Sequence, residues 1–438
     1  MSPPLKPQDI VHLVEPDRSH RRVYTDPAVF DLEMQHVFGK AWNFVGHESQ
    51  VPNPGDFYTT KITGQPVVMV RQPDRSIQVI HNRCGHRGAI VVGAEYGNAR
   101  HFNCIYHGWS FNTDGSLAFI PLEDGYENTS VKKCDPQFGM TKVAAVDSYQ
   151  GFVFAKLTTE GPDLLSFLGG ITQPLDHLNN LSPEGSLTVC GGTFRAIFPC
   201  NWKIYLENLH DGVHPRFVHR SSVDASQLIG SQLSENNQEE PFAVGVVKAN
   251  AQTYKAMDDL EVRVFPHGHS DMRGFRNPVN SDPVFKRYTE LLNKRHGEQQ
   301  TKEILTRNWH NLCVYPNLSI HPGFPQLRKL SPLSVNETMV EVWNLRLDGA
   351  PEELYHRTIT YANTVHSPSS IIKPDDLEAY MRVQHGLASE ATDWVSNHRR
   401  SGNETSGDGF SSDSALSEHF IRNQYKAWSA YMTEGSNA

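Results

Sequence analysis

From about Trp42 to Leu157 the apolar positions come in short alternating runs, each cut off by Gly, Pro, Asn or Asp. Period-two alternation of that length reads as half-buried strand, and the breakers read as turns. The pattern predicts strands at Phe57–Ile62, Pro66–Arg71, Ile77–Asn82, His101–Tyr106 and Gly151–Leu157, hence a compact all-β domain over residues 41–157. Ahead of it, Asp26-Pro27 opens a helix whose apolar residues Phe30, Met34, Val37 and Phe38 recur at helical spacing. Behind it the periods mix. Residues 161–182 predict helix with loops, and Leu187–Phe198, Phe242–Lys248, Val314–His321 and Thr338–Leu347 predict strands. Val284–His296, Pro374–Gln384 and Ser414–Met432 predict helices, and the Gly/Ser-rich stretch Ser401–Asp413 reads as a surface loop. Residues 1–40 and 158–438 are therefore expected to form a second, α+β domain. No internal repeat is found.

Composition narrows the class. A chain of 438 residues exceeds one ordinary core, and 38% apolar with 20% charged residues is a globular balance. A net charge of -9 with no basic face argues against a nucleic-acid partner. Residues 1–10 lack the apolar core of a secretory signal, and no apolar run approaches the roughly 20 residues of a membrane helix. A cytoplasmic protein without disulfides is expected. Of six cysteines, Cys84 and Cys104 sit in a metal-ligand pattern; Cys134, Cys190, Cys200 and Cys313 read as free thiols.

The first chemical signal is Cys84-x-His86 followed, after seventeen residues, by Cys104-x-x-His107. Two thiolates and two imidazoles can close a tetrahedral zinc. They can also hold a [2Fe-2S] cluster with both cysteines on one iron and both histidines on the other. Zinc fingers usually segregate cysteines from histidines, whereas here each half supplies one of each, at the tips of predicted hairpins. That alternation suits a Rieske cluster. Such a cluster moves one electron at a time, so oxygen chemistry needs a second, open iron; without one the chain would be an electron-transfer protein.

The second signal lies in residues 201–220, which contain Glu207, His210, Asp211, His214 and His219. In a helix Asp211 and His214 would share a face at i, i+3. Pro215 disfavours helical geometry at His214, so the helix should end or distort there, leaving His219 free to turn back. Two histidines and a carboxylate make the facial triad of non-haem Fe(II) oxygenases, with positions open for O2 and substrate. His210 is also a candidate on spacing. A carboxylate is available downstream, where Pro374-Asp375-Asp376 opens a helix; both acids could equally complement the helix dipole.

These residues resemble the α subunits of aromatic-ring-hydroxylating dioxygenases, the family of naphthalene, biphenyl and benzoate dioxygenases. The resemblance rests on Cys84-x-His86-Arg87, Cys104-x-x-His107-x-Trp109, Asn201-Trp202-Lys203, Glu207-Asn208 and Asp211-x-x-His214-x-x-x-x-His219, in that order, over nearly the whole chain. It implies a [2Fe-2S] cluster on Cys84, His86, Cys104 and His107. It implies a mononuclear Fe(II) on His214, His219 and Asp376, with Asp375 as the fallback ligand, and gives His210 no such role. Asp211 would bridge His214 to a Rieske histidine of a neighbouring chain. The fold implied for the second domain is a helix-flanked antiparallel sheet. The reaction implied is O2-dependent hydroxylation of an aromatic ring, chiefly cis-dihydroxylation, with a monooxygenase or demethylase as the alternative. Electrons would come from NAD(P)H through a separate reductase, with or without a ferredoxin. The assembly implied is a homotrimer, or a trimer with a small β subunit. The family's Phe-Gly-Pro becomes His366-Ser-Pro368, and a bulky aromatic position becomes Ile372, so no particular hydrocarbon substrate carries over. His366 and the arginines point toward an aromatic acid.

Overall fold

The computed structural model describes residues 10–133, 135–250, 252–277 and 281–433. The readings of residues 1–9 and of Cys134 lie outside them. Contacts divide the chain into a unit over Phe38–Leu164 and a second unit up to Val37 and from Leu165 onward, against the 41–157 boundary read from the sequence.

The smaller unit is built from antiparallel strands. Four of them, in the order Ile77–His81, Gln65–Arg71, Asp56–Ile62 and Tyr96–Asn98, form one sheet. Asp56–Ile62 and Gln65–Arg71 are joined at Thr63-Gly64, both at positive φ (49° and 76°), the twist that a two-residue hairpin requires. His101–Asn103, Ser110–Asn112 and Leu117–Phe119 form a second sheet, and Asn43–His47, Phe152–Lys156 and Ala145–Tyr149 a third. Phe57, Val68, Val70, Ile80, Phe102, Trp109 and Phe111 fill one core, and Cys84 and Cys104 are buried in it.

The larger unit centres on a nine-stranded antiparallel sheet. Its order is Leu187–Phe198, Glu337–Leu347, Gln326–Ser334, Leu318–His321, Arg307–Val314, Ser270–Phe275, Glu261–Val264, Phe410–Ser414 and Thr405–Gly407. Helices flank it, as the resemblance implies. The edge strand Leu187–Phe198 carries a bulge between Cys190 and Thr193, where Gly191 and Gly192 adopt positive φ. Among the described residues no helix is long and apolar enough to cross a membrane, and Cys84, Cys104, Cys190, Cys200 and Cys313 are free thiols.

Several elements differ from the pattern reading. Phe242–Lys248 is a helix, N-capped at Pro241, which buries Val246 and Val247 against Val365 and Ile372. A short apolar run carries no period that separates strand from buried helix. Val314–His321 is two strands, Arg307–Val314 and Leu318–His321, because the chain turns back at Tyr315-Pro316-Asn317 and the two pair as an antiparallel hairpin. The stretch read as a loop, Ser401–Asp413, contains an edge hairpin turned by Asp408-Gly409. The last helix therefore starts at His419, not Ser414, which ends a strand.

The helix Pro27–His36 starts as expected, with Asp26 accepting from Ala28 N, and of its four expected apolar residues Val37 and Phe38 are buried. Val29, Glu33 and Val37 are inside, while Phe30 and Met34 are half-buried. Glu33, on the same helix, is fully buried. Its Oε2 accepts from Trp202 Nε1 (2.8 Å), and its Oε1 accepts from Lys203 Nζ (2.5 Å) and Trp428 Nε1 (2.7 Å). Burial lowers the Lys203 pKa and Glu33 opposes that shift. One carboxylate thus pins the N-terminal helix, the helix Trp202–Asn208 and the C-terminal helix His419–Thr433. Removing it leaves a buried ammonium with no counter-ion. Glu33→Ala is expected to destabilise this unit by about 3–5 kcal/mol, read as an earlier guanidinium unfolding transition in tryptophan fluorescence; an unshifted transition would show that the hub is dispensable.

Candidate metal centres

The two Cys/His loops are built alike. Cys84 N donates to Ala89 O (2.8 Å) and Gly88 N to Cys84 O (2.9 Å); Cys104 N donates to Trp109 O (2.8 Å) and Gly108 N to Cys104 O (3.0 Å). Gly88 and Gly108 close the loops at φ 75° and 73°, where a side chain would be strained. The loop with Cys104 and His107 is a hairpin tip, between His101–Asn103 and Ser110–Asn112. Both sulfurs are buried, His86 is half-buried and His107 is exposed. The His86 ring stacks on Trp109 (4.9 Å, 7°) and meets His107 edge-on at 4.6 Å between centroids. Burial raises the Cys84 thiol pKa, while the amides of His86 and Arg87, donating toward its sulfur, oppose that.

The donor set fits a cluster better than one ion. His86 Nδ1 is buried with no hydrogen-bond partner, as a nitrogen reserved for a metal would be. A tetrahedral zinc, bound at about 2.0–2.3 Å, draws its ligand atoms to within about 4 Å of one another. Among the described residues, the only three His, Cys, Asp or Glu donors that converge within 4.8 Å are His214, His219 and Asp376. The Cys/His four are spread more widely, as two irons require.

The second centre forms where a helix is interrupted. Asn201 caps the helix Trp202–Asn208 by accepting from Lys203 N. The helix stops at Asn208, and residues 209–213 turn, with Val213 N donating to Asp211 Oδ1 (2.9 Å) and Gly212 N to Ala415 O (2.9 Å). The break thus falls earlier than Pro215 predicted. His214 itself is helical (φ -59°, ψ -36°), because Pro215 opens the new helix Pro215–Val218, where a missing N–H costs nothing. His219 follows, buried, ahead of the helix Arg220–Glu235.

Asp376 comes from the first turn of the helix Lys373–Gly386, with Pro374 at its start. Its Oδ1 lies 3.3 Å from His219 Nε2 and 3.8 Å from His214 Nε2. That oxygen is buried and accepts no hydrogen bond, while Oδ2 accepts from Lys373 Nζ at 2.7 Å. Burial would raise the Asp376 pKa, but Lys373 and the two histidines together hold it well below the usual carboxylate range. Three donors, one an unsatisfied carboxylate oxygen, therefore face one point and suit a divalent ion.

The far side of each imidazole meets a carboxylate. Asp375 Oδ2 lies 3.4 Å from His219 Nδ1, so it backs a histidine rather than joining the triad. Asp211 Oδ2 lies 3.6 Å from His214 Nδ1, and its Oδ1 accepts from Arg399 Nη2 at 2.9 Å. Burial pushes the Asp211 pKa up, yet His214, Arg399 and Val213 N leave it lowered. Carboxylates in these positions fix the tautomer and orientation of metal-ligating histidines. His210 stays outside the group; it is fully buried against Phe420, and burial drives its pKa down to about 3. Lys373 and Arg399 escaped the sequence reading. Lys373 stands one helical turn before Asp376, a readable signal; Arg399, 188 residues from Asp211, gave none.

A cavity of about 680 Å3 opens on the triad, lined by Phe242, Trp309, Phe324, Tyr361, His366 and Ile372 among others. Residues 41–135 match a Rieske [2Fe-2S] domain, and residues 183–434 match the catalytic domain of ring-hydroxylating alpha subunits. The chain is 30% identical over 380 residues to the large subunit of 2-halobenzoate 1,2-dioxygenase from Burkholderia cepacia, covering 86% of this chain and 78% of the relative. It is 30% identical over 423 residues to the large oxygenase component of the naphthalene 1,2-dioxygenase system of Pseudomonas aeruginosa, covering 94% and 91%. A solved naphthalene 1,2-dioxygenase with indole bound superposes with a TM-score of 0.82 at 25% identity, over 98% of this chain and 95% of that one.

Removal of one triad ligand should separate the two centres. His214→Ala, His219→Ala and Asp376→Ala are each expected to lose the single iron while the visible absorption of the cluster persists; Cys84→Ser is expected to bleach that absorption. Asp375→Ala should retain its iron. Iron analysis beside the absorption spectrum checks this, and full iron in Asp376→Ala would place the third ligand elsewhere.

Proposed function

The chain belongs to the ring-hydroxylating alpha subunits with a Rieske [2Fe-2S] domain, and from that premise we propose that it hydroxylates an aromatic ring with O2, chiefly as a cis-dihydroxylation. The observation that carries the reading is the convergence of His214 Nε2, His219 Nε2 and Asp376 Oδ1 beside an aromatic-lined cavity. When bound, the mononuclear iron supplies O2 activation at its open positions and the cluster supplies single electrons. The residues of the chain do the rest. Cys84, His86, Cys104 and His107 hold the cluster; His214, His219 and Asp376 hold the single iron. Lys373 keeps Asp376 ionised, and Asp375 and Asp211 orient the two imidazoles. Phe242, Phe324 and Tyr361 exclude water and give a flat ring its slot. No Gly-rich dinucleotide fingerprint occurs in the sequence, so the nicotinamide binds a separate reductase, directly coupled or through a ferredoxin.

We further propose a trimer of these chains, alone or with a small β subunit. Asp211 is then the bridge between chains, accepting from His214 on one side and from His107 or His86 of a neighbour on the other. The exposure of His107 supports this, because its ring edge is open to a partner.

Two measurements test the reading. With labelled O2, a surrogate reductase and a panel of aromatics, both product oxygens should carry label; one labelled oxygen would assign a monooxygenase, and no oxygenated product would overturn the assignment. Asp211→Asn should keep its iron, its cluster spectrum and its reduction by the reductase, while single-turnover reoxidation of the cluster slows by orders of magnitude. Reoxidation at the unmutated rate would remove Asp211 from the electron path.

A further inference from the structure

Arg328 breaks the rule that buried charges are paired. It stands on the strand Gln326–Ser334, is 4% exposed and lines the cavity beside the triad. Its Nη2 donates to Asn311 Oδ1 (2.5 Å), whose Nδ2 in turn donates to Leu209 O (2.8 Å). Its Nε is buried with no partner. Among the described residues no carboxylate lies within ion-pair distance of the guanidinium. Arg263 in the same sheet shows what a structural arginine does: its Nε and Nη2 donate to Asp271 (3.1 and 2.5 Å) and its Nη1 to Gln173 (2.9 Å). Arg328 leaves donors unused that a purely structural role would fill.

The cavity offers it no counter-ion. Three carboxylates line the space, and each already has its own cation: Asp211 has Arg399, Glu240 has Lys248, and Asp376 has Lys373. Three of the histidines there, His310, His321 and His366, have lowered pKa values. Burial, with Arg328 beside them, drives His321 and His366 well below the usual range, and burial lowers His310. Arg216 and Arg276 line the space as well, Arg276 Nε donating to Leu305 O. Around this fixed charge the walls are flat and apolar, with Phe324 stacked on Tyr361 at 4.4 Å and Phe242 edge-on to Phe324 at 5.6 Å.

We infer that the missing partner of Arg328 is the carboxylate of the substrate, so that the ring hydroxylated here is an aromatic acid. This rests on the ring-hydroxylation reading and names its substrate class. The relatives do not decide it, since one is named for a halobenzoate and another for naphthalene. A guanidinium binds a carboxylate through parallel N–H donors, and a desolvated site makes that contact selective against neutral isosteres.

The test is calorimetric, on the iron-loaded protein, and needs no turnover. Benzoate, 2-naphthoate and biphenyl-4-carboxylate are titrated against their primary amides, which match them in shape but carry no charge. At least one acid is expected to bind about tenfold or more tighter than its amide. Arg328→Gln is expected to weaken that acid about ten- to a hundredfold and leave the amide within about twofold, and Arg328→Lys to recover part of the loss. The comparison of acid with amide in the unmutated protein stands even if a variant fails to fold. Amides binding as tightly as acids, no acid binding, or an acid indifferent to Arg328→Gln would each overturn the inference. Labelled-O2 turnover of a neutral ring by a protein that binds no acid would sink the inference and leave ring hydroxylation standing. An acid that binds through Arg328 but yields no oxygenated product would do the reverse.

Discussion

A buried carboxylate must spend both of its oxygens, and Asp376 divides them. One takes the ammonium of Lys373, a turn earlier on its own helix; the other, which accepts no hydrogen bond, faces the Nε2 atoms of His214 and His219. Taking such a group out of water costs several kcal/mol unless a cation satisfies it. The metal point is thus defined by what the protein withholds. Everything that holds the three ligands in register serves that division. Gln384, on the helix that carries Asp376, accepts from Asn201 N at the start of the helix before His214 and donates to Tyr24 O. Glu33 ties Trp202 and Lys203 to the two ends of the chain. Glu207, pushed up to about 7 by burial, takes hydroxyls from Tyr24 and Tyr425 on that same helix.

Around the metal point the groups run in sequence: Lys373, Asp376, the two imidazoles, then Asp375 and Asp211, and beyond Asp211 the guanidinium of Arg399. Each imidazole has a carboxylate behind it, at 3.4 Å from His219 Nδ1 and 3.6 Å from His214 Nδ1. A carboxylate placed behind a ligand histidine biases its tautomer and ring orientation before an ion arrives, which is how a preorganised site gains affinity.

What could be read from the chain follows from the range of the forces involved. Cys84, His86, Cys104, His107, His214 and His219 lie in local motifs, where spacing reports geometry directly. Strands bounded by turn chemistry, such as Asp56–Ile62 and Glu337–Leu347, were legible to within a residue or two. Where two periods fit equally, as in Phe242–Lys248, only tertiary packing decides, and the strand expected there is a helix. Of the apolar residues expected on the first helix, Val37 and Phe38 are buried, while Phe30 and Met34 stay half-buried beside the inward-facing Glu33. The turn Asp408-Gly409 was a hairpin signal hidden in a polar stretch. Arg399 and Arg328 act across long loops of sequence, so no pattern announces them.

The nine-stranded sheet never closes on itself, and its two margins are made differently. At one margin stands Thr405–Gly407, three exposed residues long, too short to template a stranger's backbone. At the other, Leu187–Phe198 runs for twelve residues, and the paired glycines at 191 and 192 push a kink through its middle. A flat margin of that length would recruit other chains into an endless ribbon. The bulge shifts the register between the two halves of the strand, which works against one long, straight pairing along that margin.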